Sequence, residues 1–246
     1  MMDDIVKFLQ GIHLNDKKEW YFENSRYYVS AFHSNAIYIQ DLIDMIGKFD
    51  ITIKYLTLSD CSYPLWRHPK QKIDDRIFND FLGGYFARLG KRSGFGGYYY
   101  QISPDPSDSG GSLLAVGIFN PSRELLDRFR RDAQQNGAHI MELINATGFE
   151  LLERDRFQRI PKGFSIEPEY RDLLLQRHIM LVKRVGLKWF YNKNWMERTA
   201  REFRRCKPFL DYINTIVERH IREERNVERR IRELSDTRAE GNCRGN

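Results

Sequence analysis

Cysteine is scarce in this chain: there are three, Cys61, Cys206 and Cys243, and no CxxC pair. An odd count without paired spacing excludes a disulfide framework and fits a reduced, cytoplasmic chain. The six histidines show no HxH or HExxH spacing. No metal site is therefore expected. There is no GxSxG elbow, no legible Cys–His signature and no GK[ST] phosphate-loop ending. No cofactor is expected, and no catalytic residue can be named. No uncharged apolar run approaches ~18 residues, which excludes a membrane-spanning helix. With 30% charged residues and a mean hydropathy of −0.61, no membrane partner is expected. The opening Met1-Met2-Asp3-Asp4 is acidic where a secretory signal is basic, so no export is expected. No internal repeat is visible.

What is present is a folded composition. The 246 residues are 41% hydrophobic and 13% aromatic, enough for a sizeable core and against bulk disorder. The net charge of +6 is unevenly placed. Residues 1–66 carry six basic and nine acidic residues, whereas 198–246 carry thirteen basic and nine acidic. Within 67–94, seven bases face three acids, a local excess of four. Such a patch is either an anion site or a solvated face turned to the acidic N-terminal part.

Periodicity predicts a first helix with Ile5, Phe8, Leu9 and Ile12 inward, capped by Asp3 and Asp4. A longer helix is expected from about Asn24 to Ile46, with Gly47 as its C-terminal cap. The alternation over Phe49–Tyr55 predicts a strand. A short helix is expected over Asp74–Phe81, stopped by Gly83-Gly84. The clearest β signal is a hairpin over about 97–119, with a long polar turn from Pro104 to Ser112. Asn120-Pro121 predicts the start of a helix that stops at Asn136-Gly137, and a second helix covers about 138–146. Glu167–Arg177 reads as a helix and Ile179–Val182 as a strand. Trp195–Cys206 and Phe209 to about Leu234 read as two helices. The fold class expected is α+β: a central antiparallel sheet flanked by helices, with a long C-terminal helix.

Five stretches in order resemble the DUF2461 family of uncharacterised proteins. They are Phe8-Leu9 with Lys18-Glu19-Trp20-Tyr21, Asn24 and Tyr27-Tyr28; Gly90 to Tyr100 with Ile102; Gly117-Ile118-Phe119 with Pro121 and the helix to Asn136-Gly137; Pro161 to Phe164; and Lys207 to Asn214. The resemblance spans roughly residues 5–217. It implies a single α+β domain over 1–217; the Glu/Arg repeats beyond it read as a charged helical extension over 218–234, with a disordered tail expected over 235–246. The family's hallmark, RxxRDxRFxxx[DN]KxxY, is altered here. Arg67 matches it and Lys70 keeps the charge. Gln71, Ile73, Asp74, Asn79 and Leu82 replace its other members. Arg76 is a candidate for one of the missing arginines.

Candidate anion ligands are Arg67, Lys70, Arg76, Lys91 and Arg92, because Arg grips phosphate or carboxylate through a fork and Lys as a point charge. The bland alternative is pairing with Asp74, Asp75 or Asp80. Gly94-Phe95-Gly96-Gly97 reads as a strand-entry turn or as an anion cradle. Trp20, Tyr98 and Tyr100 are candidate pocket aromatics, or core. Tyr98 and Tyr100 share one face of their strand. The leading functional expectation is a binding module for an anionic ligand, nucleic acid or a phosphorylated molecule, through segment 67–94. The alternatives are a structural or protein-interaction role, and an enzyme acting on a phosphorylated or carboxylated substrate.

Overall fold

A computed structural model describes residues 2–67, 76–104, 111–165 and 167–243. The first layer is helical. Helix α1 (Met2–Leu14) buries Ile5, Phe8, Leu9 and Ile12. A short α2 (Lys18–Glu23) leads into α3 (Ser25–Gly47), which buries Tyr38, Ile39, Leu42, Ile43 and Ile46. Spacings of three and four residues put each set on one stripe, and the two stripes face each other.

The strand expected over Phe49–Tyr55 is a succession of turns. Asp50 causes the change. Its Oδ1 accepts from the Thr52 backbone N–H at 3.2 Å and from Thr52 Oγ1 at 2.7 Å, which curls the chain locally. A second short helix, α4 (Leu58–Cys61), follows.

The expected helix before Gly83 is also absent from residues 76–81; residues 74 and 75 lie outside the described residues. Asp16 instead accepts the N–H groups of Ile77 and Phe78 at 2.8 and 3.0 Å, and Phe78 bridges to Trp66. The chain then enters β1 (Leu82–Ala87), a strand not foreseen from the sequence. Gly83 looked like punctuation. A Cβ there would lie 2.2 Å from the carbonyl oxygen of Tyr100, so the glycine serves close strand approach.

Strands β2 (Gly97–Ile102) and β3 (Leu113–Ile118) form the expected hairpin. The next helix, α5 (Arg123–Thr147), is capped by the Ser122 side chain, which accepts from Leu125 N–H at 3.1 Å. Asn120 and Pro121 precede the helix rather than starting it. The expected break falls at Asn136, which leaves helical geometry; a second helical stretch follows the kink, as expected, and ends at a left-handed Gly148 cap. A two-residue β4 (Glu150–Leu151) follows. The stretch expected to be one helix over 167–177 is a 3-10 turn, Pro168–Tyr170, and α6 (Arg171–Leu175). Then come β5 (Ile179–Arg184) and α7 (Gly186–Phe190).

The five strands form one antiparallel sheet in the order β1-β2-β3-β5-β4. Phe86, Tyr98, Val116 and Leu181 are cross-strand neighbours on one face. Helices α3 and α8 cover that face, and α5 packs against α8. Helix α8 (Trp195–Cys243) runs unbroken through Pro208, where two helices were expected. Pro208 offers no N–H to the carbonyl of Arg204. The buried stripe of Phe203, Cys206, Leu210, Ile213 and Val217 continues across that position and holds the helix to the sheet.

Candidate functional site

Among the described basic residues of segment 67–94, Arg76, Arg88 and Lys91 serve separate local tasks. Arg67 is half-buried, and its backbone N–H bonds to Ile77 O at 2.9 Å. Lys70 lies outside the described residues. The Arg76 guanidinium turns to the C-terminal end of α1, donating to Ile12 O and His13 O at 3.4 and 3.2 Å. A cation there complements the helix dipole. Lys91 donates its Nζ to Ser59 O, and its backbone N–H bonds to Asp60 O at 2.9 Å. Burial lowers its pKa, with Arg92 adding to the effect. Arg88 pairs with Glu218 and lies over the Phe95 ring at 5.0 Å. Arg92 alone of these stands exposed on the strand-entry turn.

The candidate pocket aromatics sit in or against the core. Tyr98 and Tyr100 have no exposed surface. The Tyr98 ring packs on Phe203 at 5.2 Å, and that of Tyr100 on Trp195 at 5.7 Å. Their hydroxyls donate inward, to Asp50 Oδ2 at 3.0 Å and to Asn35 Oδ1 at 2.8 Å. Burial raises both phenol pKa values well above their ordinary range. Trp20 is half-buried beside Phe8, at 6.2 Å between rings.

A concave surface lies elsewhere, between the end of α3 and the middle of α8. It consists of two adjoining cavities of about 620 and 440 Å³. Lys48, Phe49, Lys207 and Asp211 line both. Arg201 and Arg204 border only the first, while Asp50, Thr52, Arg88, Thr215 and Glu218 border only the second.

The local fold explains the arrangement. Burying Phe203, Cys206 and Leu210 on one stripe of α8 leaves Arg201, Arg204 and Lys207 along the flank of that stripe. The Asp50 turn holds Lys48 and Phe49 against them. Tyr98 anchors that turn to the sheet through its bond to Asp50, and its ring meets Phe49 edge-on at 6.0 Å. Ile46 O, which would present negative charge at the end of α3, already accepts from Phe49 N and Asp50 N at 3.0 and 2.8 Å.

The charges are unequally compensated. Lys207 bonds both oxygens of Asp211 at 2.6 Å. Arg205 is within 3.7 Å of Glu202 and reaches Ala146 O. Lys48, Arg201 and Arg204 are exposed and have no ion-pair partner among the described residues. Neither histidine nor cysteine lines the groove. Burial pushes the Cys206 thiol, on the inner stripe of α8, up to about 12, so it is no nucleophile at neutral pH. Among the described residues, no group of three or more His, Cys, Asp or Glu side chains is placed to hold a metal ion.

The groove went unread in the sequence because its members are far apart in the chain. Arg201, Arg204 and Lys207 do recur at helical spacing on one face. That signal was merged into the general basicity of the C-terminal part.

Fold and site together define an α+β protein with a helix-covered antiparallel sheet and a basic groove along its last helix. A family model, described as a conserved hypothetical protein (DUF2461), matches residues 4–212, and the chain belongs to that family. No curated protein and no solved structure matches the chain. No helix among the described residues is long and apolar enough to cross a membrane.

Proposed function

We propose that this DUF2461 member is a binding module for an anionic ligand, seated in the groove between α3 and α8. The observation that supports the reading is the set of three cations, Lys48, Arg201 and Arg204, turned to one cavity without carboxylate partners among the described residues. Uncompensated cations around a concavity raise the local concentration of anions and hold them by charge-assisted hydrogen bonds. The lining groups contain no histidine or thiol to attack a substrate, which favours capture over group transfer. The binding locus differs from the one expected over 67–94, of whose described residues Arg88 borders the groove.

The test is a titration of pyrophosphate into the ¹⁵N-labelled protein, followed through backbone amide shifts. The expected perturbations fall on Lys48, Phe49, Arg201, Arg204 and Lys207. Perturbations confined to Arg67, Arg76 or Arg92 would overturn the location. Saturating pyrophosphate with no shift anywhere would overturn the function.

A further inference from the structure

We infer that the ligand of this groove is a small phosphomonoester whose body is uncharged and rich in hydroxyl groups, as in a sugar phosphate. The inference rests on the reading of the groove as an anion site and adds which anion it takes.

The two cavities differ in charge. The first has Lys48, Arg201, Arg204 and Lys207 against a single acid, Asp211. The second has Lys48, Arg88 and Lys207 against Asp50, Asp211 and Glu218, and is balanced. One end therefore suits a dianion, and the other a neutral group. Arginine pairs match the flat, forked geometry of phosphate oxygens.

The second cavity also has a bias in hydrogen bonding. Thr52 Oγ1 commits its proton to Asp50 Oδ1 at 2.7 Å. Thr215 Oγ1 commits its proton to Asp211 O at 3.0 Å. Each hydroxyl thus has only lone pairs left to offer. The carboxylates of Asp211 and Glu218 are acceptors paired with Lys207 and Arg88. Free hydroxyl lone pairs beside the donors Lys48, Arg88 and Lys207 suit a body whose groups both donate and accept, such as a polyol. Phe49, shared by the two cavities, supplies an apolar surface for the carbon side of such a body.

A nucleic-acid strand fits less well. Its repeating phosphates would continue from the basic cavity into the balanced one, where Asp50, Asp211 and Glu218 offset the cations and no net positive charge holds them. The cavity volumes, about 620 and 440 Å³, are those of small-molecule sites, which run to roughly 300–1,000 Å³.

Calorimetric titrations of the full chain with glucose 6-phosphate, inorganic phosphate and a short single-stranded DNA without terminal phosphate test the inference. Glucose 6-phosphate is expected to bind at least about tenfold more tightly than inorganic phosphate. Thr215→Val is expected to shrink that ratio at least about threefold, since the cavity loses an acceptor. Equal affinity for the sugar phosphate and inorganic phosphate would overturn the inference while leaving the anion site standing. Tightest binding by the DNA, falling steeply with salt, would do the same and identify a polyanion site. Binding of none of the three would remove the anion site itself.

Discussion

Asn214 and Gly96 exchange two hydrogen bonds. The Gly96 N–H donates to Asn214 Oδ1 at 2.8 Å, and Asn214 Nδ2 donates back to Gly96 O at 3.3 Å. The pair ties the middle of α8 to the turn before β2, and so fixes the height of the groove wall above the sheet. Two separate stretches of family resemblance, Gly90–Tyr100 and Lys207–Asn214, meet at this point.

Asn214→Ala leaves the backbone groups of Gly96 short of both partners. We expect a loss of about 1–3 kcal/mol, the usual cost of stranding part-buried polar groups. Gly96→Ala places a Cβ 2.9 Å from Leu210 Cδ1 and 3.2 Å from Asn214 Oδ1. Overpacking of this kind costs about 1–3 kcal/mol. Urea denaturation measures both, and wild-type midpoints for the two variants would show that the clasp contributes nothing.

Tyr98→Phe removes the hydroxyl that anchors Asp50, leaving the buried Asp50 Oδ2 without that donor. A loss of about 1–3 kcal/mol in the same assay is expected. Weaker pyrophosphate binding should accompany it, because the Asp50 turn carries Lys48. A variant with unchanged stability would contradict the role assigned to this bond.

His178 makes the protein sensitive to acid. Its ring is stacked on Phe119 at 4.2 Å, and its Nδ1 accepts from the Asn120 N–H at 3.0 Å, a bond only the unprotonated nitrogen makes. Burial lowers its pKa below the ordinary 6.5; Arg177 and Arg154 add to the effect, and Asp155 opposes it. Below about pH 6.5 the unfolded chain takes up a proton that the folded chain refuses, so this contribution, full at higher pH, is lost as pH falls toward the folded-state pKa. The measurement is unfolding free energy between pH 7.5 and 5. Wild type should lose stability more steeply than His178→Gln across that window, and identical slopes would refute the assignment.

Thiol chemistry checks the core. Burial pushes the thiols of both Cys61 and Cys206 up to about 12. In a Cys243→Ser background, neither should react with a disulfide reagent at pH 8 until denaturant is added, whereupon both should. Prompt labelling of Cys206 in the native protein would contradict the packing of α8 on the sheet, and prompt labelling of Cys61 that of α4.

The elements readable from the sequence were those whose local chemistry agrees with their packing. Ile5, Phe8, Leu9 and Ile12 recur at helical spacing and are buried as a stripe. Tyr98 and Tyr100 alternate with Tyr99 and do share the inner face. Strand β1 was hidden because its glycines, needed for close approach to β2, look locally like a stop. The Phe49–Tyr55 alternation misled because a tertiary partner, Tyr98, and the Asp50 turn override a pattern that is only a local preference. Pro208 looked like a boundary, yet burial on both sides of it outweighs the missing hydrogen bond. The site was the least readable part. The excess of bases in 67–94 is real, but Arg76 and Lys91 are turned to backbone carbonyls of neighbouring helices. The uncompensated cations come from the C-terminal end of α3 and from within α8, which only the fold brings together.

The most direct test of the account pits these two basic regions against each other. Pyrophosphate affinity is measured by calorimetry for wild type, Arg201→Ala/Arg204→Ala and Arg92→Ala. The groove double variant should bind at least about tenfold more weakly, since each charge-assisted bond is worth about 1.5–3 kcal/mol. Arg92→Ala should match wild type. Unchanged affinity in the double variant together with a loss in Arg92→Ala would place the anion on the strand-entry turn and contradict the assignment of the groove.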